Sequence, residues 1–152
     1  MSTTTTMADL PALKGTELGT SDWHEVPQEH VNLFAEATGD HQWIHVDVER
    51  ATAESPFGGP IAHGYLTLSL IVPLFWQVFD VQDATLVVNY GLNKVRFPAP
   101  VPVGSKVRLT ATLKDVDEFT GGLQLTLSVV IEREGGDKPV CIAEPVYRYY
   151  GG

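Results

Sequence analysis

The sequence predicts an α+β fold, with one long central helix wrapped by a curved antiparallel sheet. Three observations carry that prediction. Residues 61–79 contain no Asp, Glu, Lys or Arg, so they read as a helix apolar on every side, of the kind buried in the middle of a domain. From Ala84 onward the pattern changes to a period of two in the runs "TLVVNYGLNKVRF", "KVRLTATLKDV", "LQLTLSVVIERE" and "PVCIAEPVYRYY", as half-buried strands require. Glycine and proline clusters such as "PAPVPVG" and "FTGG" separate these runs, and successive strands joined by such turns make an antiparallel meander.

In chain order, residues 1–12 form a Thr-rich leader expected to be flexible, and residues 13–152 a single domain. Residues 16–26 read as a first strand with imperfect alternation. "PQEHVNLFAEATGD" reads as a helix: Pro27 suits its first turn, Val31, Phe34 and Ala35 share one face, and Gly39 supplies a stop. A loop then leads to a short helix through "VERATAES", and "PFGGP" turns the chain into the apolar helix. That helix approaches the length of a bilayer span, but Gly64, Ser69, Pro73 and Gln77 interrupt it and no basic anchor flanks it. A flat sheet covers only one side of an all-apolar helix, so the sheet must curl around it. A helix filling inside a wrapping sheet is the outline of a hotdog fold. The unpaired sheet edges favour a homodimer joined edge to edge.

Composition narrows the function. The length of 152 residues fits one core. A net charge of −9 argues against nucleic acid as the partner, because phosphate binding needs a basic face. Lys94, Arg96, Lys106 and Arg108 fall in neighbouring strand-like runs and read either as a solvated sheet face or as a local anion site. The leader lacks the basic and apolar regions of a secretory signal, so the cytoplasm is the expected compartment. The lone Cys141 reads as a buried strand thiol.

The densest chemistry lies in "GDHQWIHVD", which holds two histidines and two carboxylates in nine residues. Asp40 follows the helix stop and His45 lies five residues on, in a loop or turn. A carboxylate and an imidazole that share one water form a general acid and base pair. Read singly, each is equally a solvated turn residue or a packing residue. His41 and His45 also have a metal-ligand spacing, with Asp40 or Asp47 as a third ligand; Gly39 and the missing glutamate between them weaken that reading, and no metal is expected. In "GGPIAHGYLTLS" the apolar helix begins near Ala62 to Gly64, where the first N–H groups lack internal partners at the positive end of the helix, and Gly64 N–H is a candidate oxyanion donor. The alternative is that Gly64 permits tight packing and His63 fills space.

"TGDHQWIHVDVERA", residues 38–51, resembles the hydratase 2 motif of the MaoC-like, R-specific enoyl-CoA hydratases. In that pattern a small residue, Gly and Asp are followed after four residues by a catalytic His, and after five more by a small residue. The matching positions are Thr38, Gly39, Asp40, His45 and Ala51. "GGPIAHGYLTLSL" and "KVRFPAPVPVGSKV" are similar to the family's central helix and its following strand and turn. The resemblance implies a hydro-lyase that adds water to a trans-2-enoyl thioester, giving an R-3-hydroxyacyl-CoA, without metal or redox cofactor. Asp40 would act as base on the water, His45 would orient and polarise it, and Gly64 N–H would hold the thioester oxygen. Gln42 and His63 would help bind the substrate, an acyl-CoA or acyl-carrier thioester.

The family has Asn-Pro where this sequence has Gln42-Trp43. Gln42 keeps the amide on a longer arm, and Trp43 either lines the acyl tunnel or anchors the loop. Tyr65, Leu68, Leu74 and Trp76 are the residues that would shape the tunnel. Two rival readings are a hotdog acyl-CoA thioesterase and a non-catalytic acyl-CoA-binding hotdog protein. Many thioesterases of this fold place a carboxylate on the central helix, and residues 63–79 have none. A binder has no need for Asp40 with His45.

Overall fold

The computed structural model describes residues 2–151; Met1 and Gly152, the outermost residues of the expected leader and domain, lie outside them. The four alternating runs form long strands: β5 (Ala84–Arg96), β6 (Lys106–Phe119), β7 (Gly122–Arg133) and β8 (Cys141–Gly151). In β6 and β7 the alternation translates directly into burial. Val107, Leu109, Ala111 and Leu113 of β6 and Leu125, Leu127, Val129 and Ile131 of β7 all face inward at 0% exposure. A β-bulge between Leu113 and Asp115, and three register shifts along β5, bend the strands as curling around a helix demands.

The residues 61–79 helix is α4 (Gly64–Ser69) followed by α5 (Ile71–Trp76). Leu70 between them keeps a right-handed helical backbone, and Leu70 N–H and Leu74 N–H donate to Leu66 and Leu70 C=O. Helical bonding thus continues across the junction. The irregularity has a covalent cause: Pro73 has no N–H to offer the carbonyl of Ser69 one turn back. Ile71, Leu74 and Phe75 are buried against the sheet, with the Phe75 ring stacked on Tyr147 at 5.6 Å between centroids. The core cluster extends from Met7 to Tyr149. This is the α+β, helix-in-sheet architecture of a hotdog.

Several expectations are corrected. The helix is not covered on all sides: Tyr65 is 71% and Trp76 65% exposed. Nor is the sheet a simple meander. Among the described residues its order is β2 (Glu17–Thr20), β6, β7, β8, β5, so β5 lies on the far edge, paired only with β8, and the chain crosses the sheet before entering β6. That separates Lys94 and Arg96 from Lys106 and Arg108. Arg108 pairs with Glu132 at 2.9 Å and lies over the Trp23 ring, which leaves no shared basic face.

The first strand is two short ones, β2 (Glu17–Thr20) and β3 (His24–Glu25), both paired with β6. Within the described part of the leader, β1 (Thr3–Thr5) runs parallel to β4 (Phe79–Val81), and Leu10, in a 3-10 turn Leu10–Leu13, is 0% exposed, where a flexible segment was expected. No helix among the described residues is long and apolar enough to cross a membrane.

α1 (Gln28–Thr38) starts after extended Pro27, one residue later than expected, and buries Val31 and Ala35. It ends at Gly39, whose φ of 85° is left-handed, with Gly39 N–H donating to Ala35 C=O at 2.8 Å. A side chain with a Cβ disfavours that conformation, so Gly39 sets the direction in which Asp40 leaves the helix. The loop that follows contains a single helical turn, α2 (Trp43–Val46), and His45 lies in that turn. α3 (Val48–Glu54) begins at Asp47, whose carboxylate accepts from Arg50 N–H at 3.0 Å.

Candidate active site

Backbone pairing brings α2 against the start of the central helix. Ile61 N–H donates to Ile44 C=O at 3.0 Å, and Ala62 N–H donates to Val101 C=O at 2.8 Å. This places Ile61 C=O opposite the His45 ring, and the two meet at 2.7 Å through Nδ1. A carbonyl can only accept, so Nδ1 carries the proton and the neutral ring presents a lone pair at Nε2. Gln28 Nε2 donates to His45 C=O at 2.8 Å, tying the same turn to α1. Burial pushes the His45 imidazole below its ordinary 6.5; the bond to Ile61 opposes this, His63 reinforces it, and Asp40 opposes it.

His63 occupies the N-cap of α4. Its ring stacks on His45 at 4.0 Å and 26°, and leans on Phe34 at 4.8 Å. Its Nε2–H donates to the backbone C=O of Asp40 at 3.0 Å. Asp40, His45 and His63 therefore converge, with one donor atom of each within 4.8 Å of the others. Asp40 is exposed, His45 is 6% and His63 2% exposed. His63, expected to contact substrate, is thus the most deeply buried of the three.

The other predicted residues are distributed around this trio. Gln42 caps α2, and its backbone N–H lies 3.4 Å from Asp40 Oδ1; its side-chain amide makes no hydrogen bond among the described residues. Gly64 N–H likewise has no partner among the described residues, as the first helical N–H should not. A cavity of about 340 Å³ opens beside it, walled by Phe57, Ala62, Thr67, Phe97 and Val101. The Phe97 ring lies so close that a Cβ on Gly64 would sit 3.2 Å from it. Arg50 covers the Trp43 ring at 4.2 Å, which fits Trp43 as an anchor of the loop. Of the expected tunnel residues, Leu68 lines a second cavity of about 250 Å³ with Ile71, Tyr90 and Tyr147, while Leu74 is buried in the core.

The metal set of His41, His45 and Asp47 is dispersed: His41 precedes α2 and lies 3.8 Å from Glu36, and Asp47 caps α3. The Asp40, His45 and His63 trio suits protons better than a cation. Two stacked imidazoles hold their in-plane lone pairs side by side rather than aimed at one point, and His63 Nε2 is already committed as a donor.

Ile61 and Gln28 are the site residues that sequence reasoning missed. Ile61 acts through a carbonyl, which every residue has, so nothing in its identity signals the role. Gln28 carried a weak signal as a polar residue opening a helix beside the site.

Residues 9–134 match the family model of the MaoC like domain. The chain is 55% identical, over 98% of its length and 99% of the relative's, to the 3-hydroxyacyl-thioester dehydratase Z of Mycobacterium tuberculosis. It is 45% identical to nodulation protein N of Rhizobium meliloti, over 90% of this chain and 86% of that one. Among solved structures, an R-hydratase from Pseudomonas aeruginosa superposes with a TM-score of 0.75 at 20% identity, covering 91% of this chain and 83% of that one. An (R)-hydratase from A. caviae superposes at 0.71 and 24% identity, covering 88% and 94%. At such identities these two speak for the fold.

Proposed function

The chain belongs to the MaoC-like dehydratase family and is a hydro-lyase of 3-hydroxyacyl thioesters, and from that premise we propose that it is R-specific, with Asp40 and His45 holding the water. In this reading it adds water to trans-2-enoyl-CoA, or removes it from the R-3-hydroxyacyl thioester. The observation that carries the reading is the commitment of His45 Nδ1–H to Ile61 C=O, which leaves Nε2 bare on a ring that has one nitrogen within 4.8 Å of an Asp40 carboxylate oxygen. Two acceptors side by side take both hydrogens of one water and turn its oxygen lone pair outward. Asp40 removes a proton as the oxygen bonds to the β carbon, and electron density moves through the alkene to the thioester oxygen. Gly64 N–H, at the positive end of the helix, meets that charge as it develops. Asp40 then returns the proton to the α carbon on the same face, so every proton taken is given back. No metal or cofactor enters the proposal.

The apolar cavity beside Gly64 supports an acyl thioester as ligand, and the absence of a carboxylate on residues 63–79 disfavours a thioesterase. A homodimer belongs to the same proposal. β5 is an edge strand with Leu86, Tyr90 and Leu92 exposed at 55%, 56% and 47%, and a second copy would cover that edge. So does a cytoplasmic location.

The test is to mix the purified protein with short, medium and long trans-2-enoyl thioesters on both CoA and an acyl carrier protein. The reading predicts loss of conjugated-thioester absorbance and an R-3-hydroxy product. An S product, or hydrolysis of the thioester, would contradict it. Binding without turnover on every substrate would favour a non-catalytic acyl-CoA-binding protein.

A further inference from the structure

We propose that His63 is a positioning residue that locks the aspartate, the histidine and the oxyanion donor into one geometry. The proposal rests on the hydratase reading for its kinetic consequences and on the fold for the rest. Among the described residues, the His63 side chain touches two of these parts and its backbone adjoins the third. It bonds to the Asp40 backbone, stacks on the His45 ring, and directly precedes Gly64 in the chain. Asp40 needs such a tether. It follows a left-handed glycine, is itself exposed, and its remaining hydrogen bonds, from Asp40 N–H to Thr38 and from Gln42 N–H to its carboxylate, are both long at 3.4 Å. The 3.0 Å bond from His63 Nε2–H is the shortest among the described residues that holds Asp40.

The His63 ring does a second job. His45 is held by one in-plane bond to Ile61, about which the ring can still tilt; the face-to-face contact with His63 removes that freedom, and Phe34 backs His63 from a further side. His63 Nδ1 is buried without a hydrogen-bond partner. A residue selected only to fill space there would have no reason to bury a bare nitrogen, since an apolar ring of similar size avoids that cost. The Nε2–H bond to Asp40 is what the imidazole adds over phenylalanine.

Two substitutions separate the two contacts. His63→Phe keeps the stacked ring and loses the donor; His63→Gln keeps an N–H at similar reach and loses the ring. With trans-2-butenoyl-CoA, His63→Phe is expected to lower kcat by ~10²-fold, the scale of a small misplacement of a catalytic group, with KM nearly unchanged. His63→Gln is expected to recover the part of that loss that comes from the tether and to keep a smaller loss from the His45 ring left free to tilt. A rise in KM at unchanged kcat would make His63 a substrate contact and overturn the proposal. So would losses in both variants that only track the folded fraction measured by circular dichroism.

An inactive wild-type protein would defeat the hydratase reading but leave the positioning claim open to a direct readout. The ¹³C carbonyl resonance of Asp40 is expected to move in His63→Phe and to return in His63→Gln; a resonance that stays put in both contradicts the tether. Should His63→Phe fail to fold, His63→Gln alone decides. It should hold the Asp40 carbonyl resonance while the His45 ring protons shift for want of a stacked neighbour.

Discussion

In the proposed mechanism His45 serves as an acceptor because of where its proton is kept. Ile61 C=O takes the Nδ1–H, and burial with a second imidazole in stacking contact disfavours a further proton. The charged and titratable groups that face it are Asp40 and His63. Replacing Asp40 by Asn, or His45 by Gln, should each lower kcat by ~10²–10⁴-fold while ligand binding changes little, a split that steady-state kinetics with a binding assay on a saturated acyl-CoA reads directly. The pH dependence follows from the sign of the shift. The His45 imidazole lies below its ordinary 6.5, so the neutral form persists into mildly acid solution and activity should fall only as pH drops through that lower value. Stability moves the same way. Below 6.5 the unfolded chain takes up a proton that the folded chain refuses, so thermal stability should decline on acidification until the folded value is reached. A pH–rate profile whose acid limb lies above 6.5 would contradict the assignment. Cys141, by contrast, is pushed up to about 11 by burial in its strand, which suits an inert core thiol.

At the scale of elements, the start of α4 is the decisive piece. Gly64→Pro tests it, because proline removes the N–H yet is tolerated at a first helical position, and the extended backbone of His63 at φ −59°, ψ 139° suits a following proline. Gly64→Ala is the control for the added Cβ, which must displace the Phe97 ring. The proline variant should lose ~10²–10³-fold in kcat relative to the alanine one, the worth of an oxyanion donor; equal rates in an enoyl-thioester assay would remove Gly64 from the mechanism. This element also shows what a sequence reveals. The apolar run located the helix, and the glycine in "AHG" its start to within residues 62–64, since both are properties of residue type. The exposed side of that helix was not visible, because Tyr65 and Trp76 are as apolar as their buried neighbours. The junction at Leu70 was foreshadowed only by Pro73.

For the molecule as a whole, the long strands were legible because alternation maps onto burial one residue at a time, as in β6 and β7. Their order was not. β5 alternates less well and is exposed along nearly its whole length, and pairing partners are not written in the pattern of a single strand. The leader escaped for a related reason: three threonines read as polar linker, yet their backbones pair with β4, a contact that any residue with an N–H and a C=O can make. The half of the site that rests on side chains, Asp40 and His45, was therefore readable, and the half that rests on Ile61 C=O and the His63 bond was not. The same exposed edge predicts association. Replacing both Leu86 and Tyr90 with lysine should shift the mass measured by sedimentation from dimer to monomer, and a wild-type chain that sediments as a monomer would contradict the edge-to-edge pairing.

A water held between Asp40 and His45 beside Gly64 should be visible in a high-resolution crystal structure with a saturated acyl-CoA bound, which cannot react. The thioester oxygen is expected on Gly64 N–H, with an ordered water within hydrogen-bonding distance of both the Asp40 carboxylate and His45 Nε2, facing the β carbon. A thioester bound elsewhere, or a His45 Nε2 pointing away from the Asp40 carboxylate, would contradict it.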